Sequence, residues 1–343
     1  MPKLLIATDA WRPQINGVVR SIEHLVRDLE AFGIEVDILS PAEFRTLPMP
    51  GYPEIRLALA TPGQIARRIA QSAPDFIQIA TEGPIGMLAR RAAAKHNGYT
   101  SSYHTRFPEY VSARLPIPES WMYAIMRRFH NSARGCFVAT ESLRRELAGK
   151  GFTKLHIWSR GVDTDLFNPG HAAPFELPGP VFLHVGRMAV EKNVETFLKM
   201  ELPGSKLVVG DGPQLAYFRD RYPEVVFTGA KSGRELAELY AMGDVFVFPS
   251  RTDTFGLVLL EALASGVPVA AYPVTGPTDI IGDSRAGILD EDLRSAALAC
   301  LDLSGSDARA RALDFSWQAC ARQFVDALHA SYGLPVSESG ISR

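Results

Sequence analysis

"SRTDTFGLVLLEALASGVPV", residues 250–269, decides how the second half of this chain is read. Its middle is an apolar run of Leu257, Val258, Leu259, Leu260, Ala262, Leu263 and Ala264, the composition of a buried helix, interrupted by Glu261. A carboxylate taken out of water without a partner is strongly destabilised or forced to protonate. A second carboxylate, Asp253, precedes it by eight residues. The run follows the strand pattern VFVFPS (245–250) and is followed by VPVAAY (267–272), so it reads as the helix of a parallel βαβ unit. In such units ligands sit beyond the carboxyl ends of the strands, which makes the loop carrying Asp253 a candidate site.

The same alternation extends outward in both directions. In the first half KLLIATD (3–9), IEVDILS (34–40), DFIQIAT (75–81), TSSYHT (100–105) and GCFVAT (135–140) are strand patterns, separated by helical stretches such as VVRSIEHLVRDLEAFG (18–33) and GMLARRAAAKHNG (86–98). It stops at NPGHAAPFELPGP (168–180), which holds four prolines in thirteen residues, and restarts with VFLHVG (181–186), KLVVGDG (206–212) and VVFTGA (225–230). The pattern predicts an α/β protein of two doubly wound Rossmann-like domains facing a cleft, with domains at 1–170 and 181–313 joined by a linker at 171–180. A last amphipathic stretch, DFSWQACARQFVDALHASYG (314–333), predicts a terminal helix within 314–335 that crosses back to the first domain.

A length of 343 residues suits two such domains, and 46% hydrophobic with 22% charged residues is ordinary globular composition. Cys136, Cys300 and Cys320 are far apart without a CxxC pair, and MPKLLIATD lacks the pattern of a signal peptide, so a reducing cytoplasmic setting without disulfides or structural zinc is expected. No apolar run reaches the length of a transmembrane helix. Residues 1–178 carry 21 Lys+Arg against 17 Asp+Glu, and the remainder 15 against 21. The basic half suits an anionic surface, and no nucleic-acid partner is expected.

The strand-end loops narrow the chemistry. AWRPQINGVVRS (10–21) contains neither GxGxxG nor GxxxxGK[ST], which disfavours a dehydrogenase and a P-loop kinase, but it places Gly17 before a helix, where a phosphate or sugar can approach the backbone. GRMAVEKN (186–193) sets Arg187 and Lys192 at a strand end, suited to a diphosphate, and Gly210 to Pro213 form another strand-end turn. DTD (163–165) and DED (290–292) spell a metal-binding DxD, but neither follows a strand, so no metal is expected there.

In this combination and order, GVDTDLFNP (161–169), GRMAVEKN, GDGP and the 250–269 stretch resemble the retaining nucleotide-sugar glycosyltransferases of family four, which have the GT-B architecture. The family signature is a Glu, seven residues and a Glu, then a small-residue segment and G-x-PV; here it reads Asp253, seven residues, Glu261 and ALASGVPV, with Asp in place of the first Glu. The resemblance implies that Glu261 binds the nucleotide ribose and that Arg187 and Lys192 neutralise the departing diphosphate. It also places Asp253 at the donor sugar, the backbone of Phe255, Gly256, Leu257 and Val258 against sugar and phosphates, and Gly17 beside the diphosphate. No metal and no cofactor beyond the donor co-substrate are implied.

TEGPIG (81–86) and YHTRFPEY (103–110) resemble a subgroup containing bacterial mannosyltransferases and lipid glycosyltransferases. That assigns His104 to the donor-sugar and acceptor region as a catalytic residue beside Asp253, and Glu82 and Arg106 to the acceptor side, Arg106 alternatively pairing with Glu109. SWMYAIMRRFHNSAR (120–134) puts Trp121, Met122, Ile125, Met126 and Phe129 on one helical stripe with Arg127, Arg128 and Arg134 nearby, an arrangement suited to lying on an anionic membrane. The expectation is a retaining, metal-independent hexosyltransferase, peripheral on the inner face of the cytoplasmic membrane, moving a hexose or hexuronic acid from a UDP-sugar to a lipid acceptor such as diacylglycerol. GDP-mannose-dependent α-mannosyl transfer is the alternative; a nucleotide-sugar 2-epimerase and an inactive nucleotide-sugar binder are the readings from other classes.

Overall fold

A computed structural model describes residues 1–14, 16–49, 52–112, 118–253 and 255–335 of the chain. It falls into two compact units, Met1–Ser159 with Trp317–Arg343, and Arg160–Ser316.

The first unit is built on strands β1 (Lys3–Ala7), β2 (Glu35–Leu39), β5 (Phe76–Ile79), β6 (Thr100–Tyr103), β7 (Cys136–Val138) and β8 (Leu155–Ile157), parallel throughout in the order β2-β1-β5-β6-β7-β8, with a separate antiparallel hairpin of β3 (Thr46–Met49) and β4 (Tyr52–Ala58). Central strands covered by helices on both faces lose their polar alternation, and β5, β6 and β7 are buried along their length. The polar residues that this burial encloses are paired across strands: Gln78 Nε2 donates to Ser102 Oγ at 2.6 Å, and the Thr100 hydroxyl bonds the Gln78 carbonyl oxygen. The helix Trp317–Tyr332 belongs to this unit, with Ala321, Phe324 and Leu328 in one core cluster with Leu4, Ile6, Phe76, Phe137 and Trp158.

The second unit orders β9 (Val181–Val185), β10 (Ser205–Val209), β11 (Val226–Gly229), β12 (Val245–Phe248), β13 (Val269–Ala271) and β14 (Gly287–Leu289) as β11-β10-β9-β12-β13-β14, again all parallel. The direction of winding reverses between β9 and β12 here, and between β1 and β5 in the first unit. Loops leaving two neighbouring strands on opposite sides open a crevice at such a switch point.

The compositional boundary at residues 168–180 is not where packing changes hands. Residues from Arg160 onward already belong to the second unit. Val162 and Phe167 are buried, Val162 N donates to Phe315 O at 3.1 Å, and Phe167 lies edge-on to Tyr240. Arg309 donates to the carbonyls of Thr164, Phe167 and Ala264. Prolines mark where regular structure ends, whereas the unit boundary follows apolar contacts.

The expected stripe on residues 120–134 also divides. In the helix Glu119–Asn131, Met122, Met126 and Phe129 are buried, while Trp121 is 69% and Ile125 48% exposed. The spacing of Met122, Met126 and Phe129 (i, i+4, i+7) is one face, and Trp121 with Ile125 begins another. Among the described residues no helix is long and apolar enough to cross a membrane.

Arg309→Ala is expected to destabilise the second unit by about 1 to 3 kcal/mol, because three partly buried carbonyl acceptors lose a charged donor. Thermal unfolding of the whole chain should show the later-starting segment, residues 160–170, becoming accessible to protease, with Arg309→Lys recovering only part of the loss.

Candidate functional site

At the switch point of the second unit two loops are stitched together. The loop after β9 carries Arg187 and Lys192; the loop after β12 carries Asp253, and Lys192 Nζ donates to Asp253 Oδ1. Asn193, left-handed at φ 53°, donates from its side chain to Pro249 O at 3.1 Å, and Thr252 Oγ1 donates to Glu191 O at 3.4 Å. Burial would raise the pKa of Asp253, but the Lys192 ammonium outweighs it and holds the carboxyl below its ordinary value. Asp253 therefore stays ionised, and the two cations exceed it by one charge.

Neighbouring backbone holds the Arg187 loop in place. A Cβ at Gly210 would stand 1.9 Å from Gly186 O, and one at Gly212 would stand 2.5 Å from Met188 O. Met188 N donates to Asp211 O at 2.9 Å and Gln214 N to Met188 O at 3.0 Å. The GDGP turn is thus the wall against which the cationic loop is set, and its glycines are required by contact as well as by positive φ.

The helix Leu257–Ala264 starts at the same place. Its cap, Gly256, is left-handed at φ 92° and supplies no side-chain acceptor, so the amides of Leu257 and Val258 and the positive end of the helix face the strand end without a side-chain cap. Phe255 is buried under Gly276, where a Cβ would meet Phe255 O at 2.6 Å. Glu261 is 6% exposed, one turn further in, and Tyr240 Oη donates to its Oε2 at 2.8 Å. Beneath these loops His184 on β9 is fully buried. Burial lowers its pKa to about 4, and as a neutral ring its Nδ1–H donates to Val247 O at 3.0 Å.

In the first unit the switch point brings together the loops after β1 and β5, with the loop after β6 alongside. Gly17 is the first residue of the helix Gly17–Ala31, whose cap Asn16 accepts from the amides of Val18 and Val19 at 3.0 Å each. Glu82 follows β5, and its Oε1 bonds His130 Nε2 at 3.1 Å. TEGPIG has its form because Asp9, at the end of β1, accepts from the amides of Ile85 at 2.8 Å and Gly86 at 3.3 Å; a Cβ at Gly83 would stand 2.5 Å from that carboxyl, and one at Gly86 1.8 Å from Thr81 O. His104 follows β6 and packs edge-on to Trp158 at 5.7 Å between ring centroids.

The remaining sequence candidates have internal partners. Arg106 donates to Glu146 in bidentate fashion, at 2.9 and 2.6 Å, and to Glu109 at 3.1 Å, while Tyr123 and Lys150 close the network. Its charge is matched within the first unit, which removes the reason to assign it to an anionic acceptor. Both DxD sequences are turn chemistry: Asp163 accepts from the amides of Asp165 and Leu166, and Asp292 caps the helix Leu293–Ala299. Among the described residues no cluster of three metal-ligating side chains occurs. Arg127 donates to Lys150 O and Arg134 to Asn97, so two of the three arginines near residue 130 are tied to backbone or side-chain carbonyls.

Tyr240, His130, Asp9 and Asn193 were not legible as site residues. Tyr240 and His130 sit on the buried faces of ordinary amphipathic helices, and only the fold shows which carboxylate each meets.

Known proteins resemble this chain over most of its length. Residues 15–166 match the family model "Glycosyltransferase Family 4", and residues 179–305 match "Glycosyl transferases group 1". The chain is 32% identical over 308 residues to sulfoquinovosyl transferase SQD2 of Arabidopsis thaliana, covering 80% of this chain and 60% of that protein. It is 30% identical over 316 residues to a GDP-mannose-dependent alpha-mannosyltransferase of Mycobacterium tuberculosis, covering 84% and 83%, and 26% identical over 346 residues to the alpha-monoglucosyldiacylglycerol synthase of Streptococcus pneumoniae, covering 86% and 77%. Sucrose-phosphate synthase from Thermosynechococcus elongatus superimposes with a TM-score of 0.77 at 20% identity, over 97% of this chain and 99% of that one. The fold is the GT-B arrangement of two Rossmann-like domains.

Lys192→Met should destabilise the second unit by about 1 to 3 kcal/mol, less than a fully buried pair because both side chains keep some exposure. Lys192→Met with Asp253→Asn should recover most of this in a denaturant titration. With its pKa lowered, Asp253 contributes stability at neutral pH that is lost on acidification through that pKa, and Lys192→Met should lack this acid-side loss.

Proposed function

The chain belongs to glycosyltransferase family 4, and we propose that it transfers a hexose or hexuronic acid from a UDP-sugar to the hydroxyl of a membrane lipid such as diacylglycerol, with retention of configuration and without a metal. The observation that supports this reading is at the second unit's switch point, where Lys192 on the loop after β9, which also carries Arg187, pairs with Asp253 on the loop after β12, just ahead of a helix N-terminus that has no side-chain cap. A nucleoside diphosphate leaving group gathers negative charge as the glycosidic bond breaks. Two cations and a helix N-terminus, already oriented, stabilise that charge most in the transition state. Glu261, its Oε2 fixed by Tyr240, accepts from the ribose hydroxyls, and Asp253 accepts from hydroxyls of the donor sugar. Lys192 couples the two ends of the donor, since it holds Asp253 and faces the diphosphate.

In the first unit Gly17 admits the diphosphate to the start of its helix, His104 polarises a hydroxyl near the anomeric centre, and Glu82 takes the acceptor side. A lipid acceptor is supported by the family and by the name of the Streptococcus pneumoniae relative. Exposed Trp121, Ile125 and Arg128 along one edge of the helix Glu119–Asn131 suit the headgroup region of an anionic bilayer, the aromatic and aliphatic groups inserting and the guanidinium meeting phosphate. A GDP-mannose donor is the second reading. The Mycobacterium tuberculosis relative, matched over 83% of its length, carries that specificity in its name.

Purified protein incubated with UDP-glucose, UDP-galactose, UDP-glucuronate or GDP-mannose, with and without diacylglycerol vesicles, should release nucleotide diphosphate and add one sugar to the lipid with a single donor, in the presence of EDTA. Nucleotide release without a heavier lipid would remove the acceptor assignment, and donor conversion without any acceptor would point to an epimerase. Lys192→Met should lower kcat/KM by ~10²-fold, the scale of a lost transition-state donor, and Glu261→Gln should weaken nucleotide affinity. His104→Ala should reduce kcat more than nucleotide affinity, and Asp253→Glu should keep measurable activity. Trp121→Ala with Ile125→Ala should reduce vesicle binding about tenfold with nucleotide affinity unchanged.

A further inference from the structure

Glu82 is anchored from below by a residue to which neither the sequence reading nor the family roles above assign a part. His130 closes the helix Glu119–Asn131 and has no exposed surface. Its Nε2 stands 3.1 Å from Glu82 Oε1, its Nδ1 3.0 Å from Ser101 Oγ and 3.4 Å from Cys136 Sγ. The rings of Phe129, Tyr103 and Phe152 surround it at 5.0, 5.5 and 5.9 Å. Both ring nitrogens thus have polar neighbours, and the aromatic faces suit a cation. The charged and titratable groups around the pair are Glu82 itself, Asp9 from the loop after β1, Tyr103 of β6 and Cys136 of β7.

We propose that His130 is a positioning residue: its Nε2–H holds Glu82 Oε1 and so presents Oε2 to the acceptor hydroxyl, at the switch point where Gly17 and His104 also lie. This rests on the transferase reading for the acceptor, but the hydrogen bond stands on its own geometry. Among the described residues Glu82 forms no hydrogen bond other than that to His130, and its side chain keeps 10% exposure. One oxygen is therefore committed and the other is left for a ligand. A carboxylate fixed at one oxygen loses the rotation that would blur its aim, and pre-organisation of this kind lowers the entropic cost of binding. Burial alone would keep the ring neutral; the Cys136 sulfur and the Glu82 carboxylate outweigh it and raise its pKa above the ordinary histidine value.

The test has a spectroscopic arm and a kinetic arm. In full-length protein carrying ¹⁵N-histidine, the His130 Nε2 signal should be that of a protonated, hydrogen-bonded nitrogen at pH 7.5 and should shift in Glu82→Gln; an unprotonated Nε2 in the unsubstituted protein would overturn the proposal without reference to activity. In the kinetic arm, with dioleoylglycerol in phosphatidylglycerol vesicles and the donor turned over in the panel above, Glu82→Gln and His130→Gln should each raise the acceptor KM about tenfold. Nucleotide affinity should stay within twofold. The double variant E82Q/H130Q should be no worse than either single one, because both remove the same device. Losses that multiply, or an acceptor KM unchanged in Glu82→Gln, would overturn the proposal. If His130→Gln lowers the unfolding midpoint too far for kinetics, Glu82→Gln and the ring signals decide alone. Absence of transfer by the unsubstituted protein would instead refute the transferase reading and leave the ring measurement standing.

Discussion

A carboxylate close to the end of a parallel strand sits largely inside the protein, where water no longer solvates it fully, so something in the fold must take water's place. Each switch-point loop in this chain is organised around that requirement, and each meets it differently. Asp253 has the Lys192 ammonium, Glu261 the Tyr240 hydroxyl, Glu82 the His130 ring, and Asp9 the amides of Ile85 and Gly86. The partners determine what each carboxylate can do next. Asp9 is used up as a helix cap and is structural. Asp253 and Glu261 are oriented by the groups that hold them.

The same economy explains the glycines. Loops that carry charge must be placed to within a fraction of an ångström, and here the placing is done by backbone against backbone. Gly210 and Gly212 lie on the carbonyls of Gly186 and Met188, Gly276 on that of Phe255, and Gly86 on that of Thr81. Motifs that look like ligand loops in the sequence, GDGP and TEGPIG, are in large part the seats of neighbouring loops. Site and scaffold share the same residues, so a change at one of these glycines acts on ligand binding through packing.

Much of the fold was open to reading because parallel strands covered on both faces become continuous apolar runs, which VFLHVG, VFVFPS and VPVAAY are. Glu261 stood out because a carboxylate inside an apolar run needs a partner, whereas Arg187 and Lys192, which alone would read as solvated surface cations, gained their meaning from the motifs around them. The hairpin β3–β4 was not anticipated: it lies outside the βα alternation and contributes to neither six-stranded sheet. The helical stripe on residues 120–134 was drawn too wide, since Trp121 and Ile125 differ from Met122 and Met126 by a single residue step, and only packing shows on which side of that step the core lies.

The sequence by itself determined the two α/β halves, the strand ends at which ligands can bind, and the family whose motifs those ends carry. These follow from period and from local spacing, which the chain states directly. Tertiary structure alone decided the partners: Tyr240 for Glu261 across 21 residues, His130 for Glu82 across 48, Glu146 for Arg106 across 40, and the membership of residues 160–170 in the second unit. A charge pair depends on distance in space, and until the sheets are wound no spacing along the chain says which helix will lie beneath which strand end.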